Sequence, residues 1–251
     1  MTNLTGKRVI VTGGSTGIGA ACVERFLNDG AKVSVWCRNP ENARAINHKL
    51  PQISGVEIVD VGEPQDIRAS FERAVRVLGG LDVAICNAGV STRHKFTDIE
   101  WSEFERIIRV NLFGSFYVSQ LAAQHMMVNS GGSIIFTAST SGVMGYRYYA
   151  DYNASKGAII AMMRSMALEL APKIRVNAVN PGYTMTPMQE AEYSPEMLKR
   201  VNDSIPMRRH ARPEEMAGLF AYLASDEAAY ATGQVFTLDG GESTGTLAGN
   251  L

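Results

Sequence analysis

The chain has 251 residues, 45% hydrophobic and 20% charged, an ordinary globular composition that excludes disordered and collagen-like classes. Its 24 basic and 25 acidic side chains leave a net charge of −1, which fits neither a nucleic-acid footprint nor a polybasic membrane anchor. Cys22, Cys37 and Cys86 are odd in number and far apart in apolar runs, so they read as reduced core residues of a cytoplasmic protein. A chain of this size buries enough surface to need no disulfide or metal staple.

Short β-branched runs recur at 8–12, 32–37, 56–60, 82–86, 133–137, 175–180 and 234–238. Helical spacing fills the intervals at about 17–29, 41–50, 64–78, 100–128, 152–171 and 213–224. Asp29-Gly30 and Gly79-Gly80 are helix stops, and Glu63-Pro64 is a helix opening. Strands alternating with helices predict right-handed crossovers and a parallel sheet covered on both faces. The fold class is therefore α/β: a seven-stranded parallel sheet in a single doubly wound domain over residues 1–251. The stretch 182–212, rich in Pro and Met, has no clear element and reads as a lid over the substrate. Residues 110–146 carry no Asp, Glu, Lys or Arg, but polar residues and Gly131-Gly132 interrupt them, so they read as a buried helix and strand rather than a membrane span. No targeting segment is visible at the start.

The first strand runs into Thr12-Gly13-Gly14-Ser15-Thr16-Gly17-Ile18-Gly19 and then a helix. Glycines there allow a sharp turn and close approach of a ligand, and the helix start offers unpaired N–H groups to a pyrophosphate. Tyr152 and Lys156, four apart on one helix face, pair a phenol with an ammonium. A free phenol titrates near 10, so a neighbouring positive charge is needed to bring it toward neutral pH. Ser139 follows the fifth strand, at the sheet edge where doubly wound folds bind ligands, and can hold a substrate oxygen. Thr137, Thr140 and Ser141 are its local rivals.

The Gly-x-x-x-Gly-x-Gly spacing, with Asp60, Asn87-Ala88-Gly89, Asn111, Ser139, Tyr152-x-x-x-Lys156 and Pro181-Gly182 in that order, resembles the short-chain dehydrogenase/reductase family over essentially the whole chain. The resemblance implies a Rossmann-like fold and an oxidoreductase exchanging hydride between NAD(P) and a secondary alcohol or ketone. It implies Asn111, Ser139, Tyr152 and Lys156 as the catalytic set, Ser139 by its thirteen-residue distance from Tyr152, with Asn111 positioning a water. It places the coenzyme on Gly13, Ser15, Thr16, Gly17, Ile18 and Gly19, on Asp60 and Val61, and on Asn87, Ala88 and Gly89. Tyr152, Lys156, Pro181, Gly182, Tyr183 and Thr184 complete that set. Cys86 stands where relatives have an Asn, weakening a sheet-bridging hydrogen bond without removing chemistry. Cys37 stands where NAD-preferring relatives have Asp, and Arg38 follows, so NADP is expected over NAD.

His48, His94, His125 and His210 form no ligand spacing, so no catalytic metal is expected. Met144, Met185 and Met188 flank the motifs, where core filling and pocket lining are both open. The charge-free helix from Asn111 and the charge-poor helix from Tyr152 predict a homo-oligomer, a tetramer. The substrate is expected to be a free small molecule such as a polyol or keto-sugar. The alternatives are 3-oxoacyl-[acyl-carrier-protein] reduction and, more remotely, a non-catalytic dinucleotide-sensing regulator. Residues 126–132, before the fifth strand, carry no positive charge for an acidic carrier protein, although Arg93 and Arg147 lie near the entrance. The intact Tyr152/Lys156 pair argues against the regulator.

Overall fold

The computed structural model describes residues 2–245. Among them, seven parallel strands form one sheet: β1 (Arg8–Thr12), β2 (Lys32–Cys37), β3 (Gly55–Ile58), β4 (Val83–Cys86), β5 (Gly132–Thr137), β6 (Ile174–Pro181) and β7 (Val235–Leu238). Their order, β3-β2-β1-β4-β5-β6-β7, reverses direction beside β1, where β1 pairs with both β2 and β4. In doubly wound sheets that reversal opens a crevice at the carboxyl ends of the strands.

Alternation along each strand divides the core into two layers. Ile10 packs with Trp36, Phe71, Phe136 and Met163 on one face, while Val9 and Val11 pack with Phe26, Val33 and Phe220 on the other. The first layer is covered by α3 (Pro64–Leu78), α5 (Gly114–Val128) and α6 (Ala150–Leu170). The second is covered by α1 (Gly17–Asn28), α2 (Pro40–Lys49) and α9 (Pro213–Ala224). No described helix is long and apolar enough to cross a membrane. All three cysteines are buried free thiols.

Four sequence expectations change. The third strand ends at Ile58 rather than 60, because Asp60 folds into a turn in which its Oδ1 accepts the Gly62 N–H at 2.8 Å. The helix expected over 100–128 is α4 (Trp101–Ile108) and α5 joined by a π turn at Arg109–Phe113. The helix α6, which carries Tyr152 and Lys156, begins at Ala150 rather than 152, and the Asp151 carboxylate accepts the Tyr152 N–H at 2.8 Å. The segment 182–212 is not elementless: it holds α7 (Pro187–Glu192) and α8 (Pro195–Ser204). Each opens with Pro in its first turn behind a capping hydroxyl: Thr186 accepts from Gln189 N, and Ser194 accepts from Met197 N. The prolines that suggested a loop are helix-start signals.

Candidate active site

Two cavities meet the carboxyl ends of the strands. The first lies at the β1–α1 turn and is lined by Gly13, Ser15, Thr16, Arg38, Asp60, Val61, Ala88 and Gly89, with Trp36 and Cys37 at its base. Gly13 has φ +63°, and a Cβ on it would stand 2.9 Å from the Ala88 Cα. A Cβ on Gly19 would stand 2.1 Å from the Gly13 carbonyl oxygen, so no side chain fits at either position. No side chain caps the first turn of α1. Its free N–H groups and dipole therefore face the turn, an arrangement that takes a pyrophosphate. The residues present thus fit a dinucleotide.

The rim of this cavity carries Arg38 4.0 Å from Asp60. Both side chains are too exposed for the pair to be strong, which leaves the guanidinium available. Cys37 is buried, and burial raises its thiol pKa, so the end of β2 presents no anion there. Asn87 turns away from the cavity. Its Nδ2 donates to the Thr12 and Gly13 carbonyls at 3.1 and 3.2 Å, and its Oδ1 accepts from Thr137 Oγ1 at 3.0 Å. Thr12 Oγ1 in turn accepts the Asn87 and Ala88 N–H groups. These bonds tie β1, β4 and β5 together beside Cys86, with Thr12, the first residue of the glycine motif, as the acceptor on β1. The sheet bridge is made by Asn87, with the Cys86 thiol buried and pushed up to about 12.

The second cavity has a volume of about 130 Å³ and is lined by Ser139, Tyr152, Pro181, Gly182, Tyr183 and Thr184, with Ile18 at the side of the glycine turn. Ser141, Tyr146, Tyr149 and Ser91 also face it, as does Met188 from α7; Met144 and Met185 are not among its walls. Gly182 is required by close approach, because a Cβ there would meet the Asp239 Cβ at 2.6 Å. Gly17, φ +53°, brings the glycine turn against Thr186 at the start of α7.

Tyr152 and Lys156 occupy adjacent turns of α6. Lys156 Nζ lies 5.5 Å from the Tyr152 ring centre and donates to the Thr137 carbonyl at 2.7 Å. Burial lowers the Lys156 pKa to about 8. Burial also raises the Tyr152 phenol to about 12, against the Ser139 hydroxyl, which lowers it; the Glu192 carboxylate adds to the rise. In the protein by itself burial is the largest influence on both groups; the expected lowering of the phenol joins the Lys156 ammonium with the positive nicotinamide ring of a bound coenzyme.

Asn111 is fully buried within the π turn. Its Nδ2 donates to the Val90 carbonyl at 2.9 Å and to Ser155 Oγ at 3.1 Å, while Oδ1 accepts the Val90 N–H at 2.8 Å. Ser155 donates to the Tyr152 carbonyl at 2.7 Å, so Asn111 links the segment after β4 to the catalytic helix. Thr184 Oγ1 donates to the Gly182 carbonyl at 3.1 Å, holding the turn after β6.

A dinucleotide-binding cleft opening onto a Ser–Tyr–Lys cluster defines an NAD(P)-dependent oxidoreductase, and comparison with known proteins agrees. A family model described as Enoyl-(Acyl carrier protein) reductase matches residues 13–243. The chain is 36% identical to a glucose 1-dehydrogenase of Gluconobacter oxydans over 243 residues, 94% of this chain and 91% of that protein. A short-chain type dehydrogenase/reductase from Mycobacterium marinum has a crystal structure 35% identical in sequence, with a TM-score of 0.87 over 97% of this chain and 98% of that one. The crystal structure of a 3-ketoacyl-(acyl-carrier-protein) reductase from Brucella melitensis, complexed with NADH, is 32% identical with a TM-score of 0.91, covering 96% and 100%. The chain belongs to the short-chain dehydrogenase/reductase family, as an alcohol dehydrogenase or ketone reductase.

Proposed function

We propose that this protein transfers hydride between NADP(H) and a free, small secondary alcohol or ketone, a polyol or keto-sugar, acting as a cytoplasmic homotetramer. Its 251 residues form one domain with residues 182–212 as the substrate lid. The observation that carries the reading is that Ser139 and Tyr152 line one cavity adjoining the glycine turn, with Lys156 held behind that wall on the Thr137 carbonyl.

The nicotinamide coenzyme supplies or accepts the hydride when bound. Gly13, Ser15, Thr16, Gly17, Ile18 and Gly19 hold its pyrophosphate side, with Asp60, Val61, Ala88 and Gly89 on the adenosine side. Asn87 supports that wall through the sheet. Pro181, Gly182, Tyr183 and Thr184 hold the nicotinamide side. Tyr152 gives a proton to the substrate oxygen in reduction and takes it back in oxidation. Ser139 donates a hydrogen bond to the same oxygen as charge develops there. Lys156 orients the coenzyme and supplies positive charge beside the phenol. Asn111 positions the Tyr152 segment and a water behind Lys156.

NADP preference is supported by Arg38 on the cavity rim and by Cys37 at the end of β2, where an acidic residue would repel a 2′-phosphate. The carrier-protein reading is favoured by the description of the matching family model and by the names of a curated relative and a structural relative. Against it stands the charge-free segment 126–132, while Arg93 and Arg147, 4.1 and 5.2 Å from the Tyr148 ring, are cations on its side. The experiment is a coenzyme-consumption screen of the pure protein with NADPH and NADH, over simple ketones, keto-sugars, and acetoacetyl groups on carrier protein and on a short thiol. Turnover of free ketones is expected. A strong preference in kcat/KM for the carrier-bound acyl group would overturn the reading.

A further inference from the structure

The lid helix α7 places two polar side chains, Gln189 and Glu192, three residues apart on the face that lines the Tyr152 cavity. Both carboxylate oxygens of Glu192 reach across the cavity to the body of the protein. One accepts from the Ser91 hydroxyl, in the segment after β4, and the other accepts from the Tyr149 hydroxyl at 2.7 Å, at the start of α6. Tyr149 is also 3.0 Å from the Tyr193 hydroxyl, the residue after Glu192. Gln189 offers the opposite chemistry. Its Nε2 is buried and has no hydrogen-bond partner among the described residues. A buried donor left unpaired is unfavourable, and a group that can accept from it would be held there.

We propose that Gln189 and Glu192 form a donor–acceptor pair that selects the substrate by its hydroxyl groups. This rests on the reading above that a free ketone or alcohol is the substrate, and it adds which residues of the lid read that molecule. An O–H group can donate to the Glu192 carboxylate and accept from Gln189 Nε2; a vicinal diol can do both at once. An ammonium group could only donate, and would leave the Gln189 donor unanswered. An aliphatic acyl chain could do neither, and would lie against a carboxylate. An anionic substrate would meet the same carboxylate with like charge.

The cavity walls share this two-way character. Ser91, Ser141, Tyr146 and Tyr193 each carry a hydroxyl that both gives and accepts a hydrogen bond. Glu192 is also the one side chain with a full charge among the residues lining this cavity, so within the wall no cation neutralises it. Its field reaches the reacting centre, since Glu192 contributes to the raised Tyr152 pKa. The Glu192 bridge also ties α7 to Ser91 and Tyr149 across the cavity.

The test measures kcat/KM with saturating NADPH for a ketohexose, for dihydroxyacetone, for cyclohexanone and for aminoacetone. The wild type is expected to favour the two hydroxylated ketones. Glu192→Gln keeps the shape of the side chain and one acceptor oxygen but removes the charge. It is expected to lower kcat/KM for the hydroxylated ketones about ten- to hundredfold more than for cyclohexanone, the effect of losing one hydrogen bond to a charged group. Gln189→Leu should produce the same split by a smaller factor. KM for NADPH should hold in both variants, which separates this effect from a collapse of the lid. An equal loss on cyclohexanone and on the hydroxylated ketones, or a preference for aminoacetone that Glu192→Gln abolishes, would overturn the proposal while leaving ketone reduction intact. Absence of turnover with every ketone would instead overturn the functional reading on which it rests.

Discussion

The Lys156 ammonium is 5.5 Å from the centre of the Tyr152 ring. The Thr137 carbonyl, 2.7 Å from Nζ at the end of β5, fixes it in that place. A cation on a flexible four-carbon stem is thereby held by the sheet, and its partner phenol by the same helix turn. Burial works on the two groups in opposite directions, lowering the lysine to about 8 and raising the tyrosine to about 12. In the protein alone the site holds its proton on the phenol, the form that reduction requires.

Removing that proton should stop the chemistry and spare the fold. Tyr152→Phe keeps the ring and its packing against Tyr149, whose ring centre is 6.2 Å away. The expected loss in kcat is about 10²–10⁴-fold, the usual contribution of a positioned acid, with NADPH affinity preserved. Pre-steady-state measurement establishes that chemistry limits turnover; a variant retaining a tenth of the wild-type rate of that step would contradict the role.

The pH profile follows from the same pair. The phenol stays protonated up to about 12, so it does not limit reduction at ordinary pH. Lys156, lowered to about 8, keeps its charge below that value and loses it as pH rises through it. The profile of kcat/KM for reduction reports groups of the free enzyme, and its alkaline limb is therefore expected near pH 8. A limb above pH 10 would assign it elsewhere. The sign for stability is also set. An amine depressed in the folded state opposes folding below its folded pKa, and that opposition fades as pH rises from about 8 toward the unfolded value of 10.5. The penalty is on the order of 3 kcal/mol. Lys156→Met should accordingly raise Tm at pH 7 while abolishing activity, a split that calorimetry and an assay together resolve.

Coenzyme choice turns on Arg38. Its guanidinium is 65% exposed and 4.0 Å from Asp60, a pair that contributes little to folding. Arg38→Ala is therefore expected to leave Tm within about 1 °C and to raise KM for NADPH about tenfold or more, with little change for NADH. Equal kcat/KM for the two coenzymes in the wild type would sink the preference.

The sheet and the positions of its ligand cleft were legible because strands buried on both faces are apolar throughout and punctuated by Gly, Asp and Pro. Helical spacing puts Tyr152 and Lys156 on one face, but what marked the pair was its place in the ordered motifs that resemble the family. Neither could show that burial dominates their titration, because desolvation depends on Thr137, Ser139 and the packing of other strands. The lid was misread for a different reason. Thr186-Pro187 and Ser194-Pro195 are helix openings, but short helices of mixed composition give no clear periodicity. Glu192 and Gln189 were invisible in the sequence: a Glu and a Gln in a polar segment are ordinary until the fold turns them toward Ser91 and Tyr149. Asn111, which reads as a mild helix defect, lies in a π turn that brings its amide to Val90 and Ser155.

Assembly is the remaining prediction. The described surface exposes apolar side chains on the charge-poor helices themselves: Phe116, 45% exposed, with Met127 and Val128 on α5, and Leu168, 85% exposed, on α6. Phe113, in the π turn, extends the same stretch. Large apolar groups clustered on two neighbouring helices leave water most simply by meeting a copy of themselves across a twofold axis. Light scattering of the wild type at micromolar concentration is expected to give a multiple of 27.2 kDa, four for the tetramer. Phe116→Glu places a charge at the centre of each such contact twice over, once from each copy, and should shift the protein to smaller species. Because Phe116 points away from the core, far-ultraviolet circular dichroism should not change. A wild type that runs as a monomer, or a Phe116→Glu variant that keeps the wild-type mass, would show that these helices are not the interface.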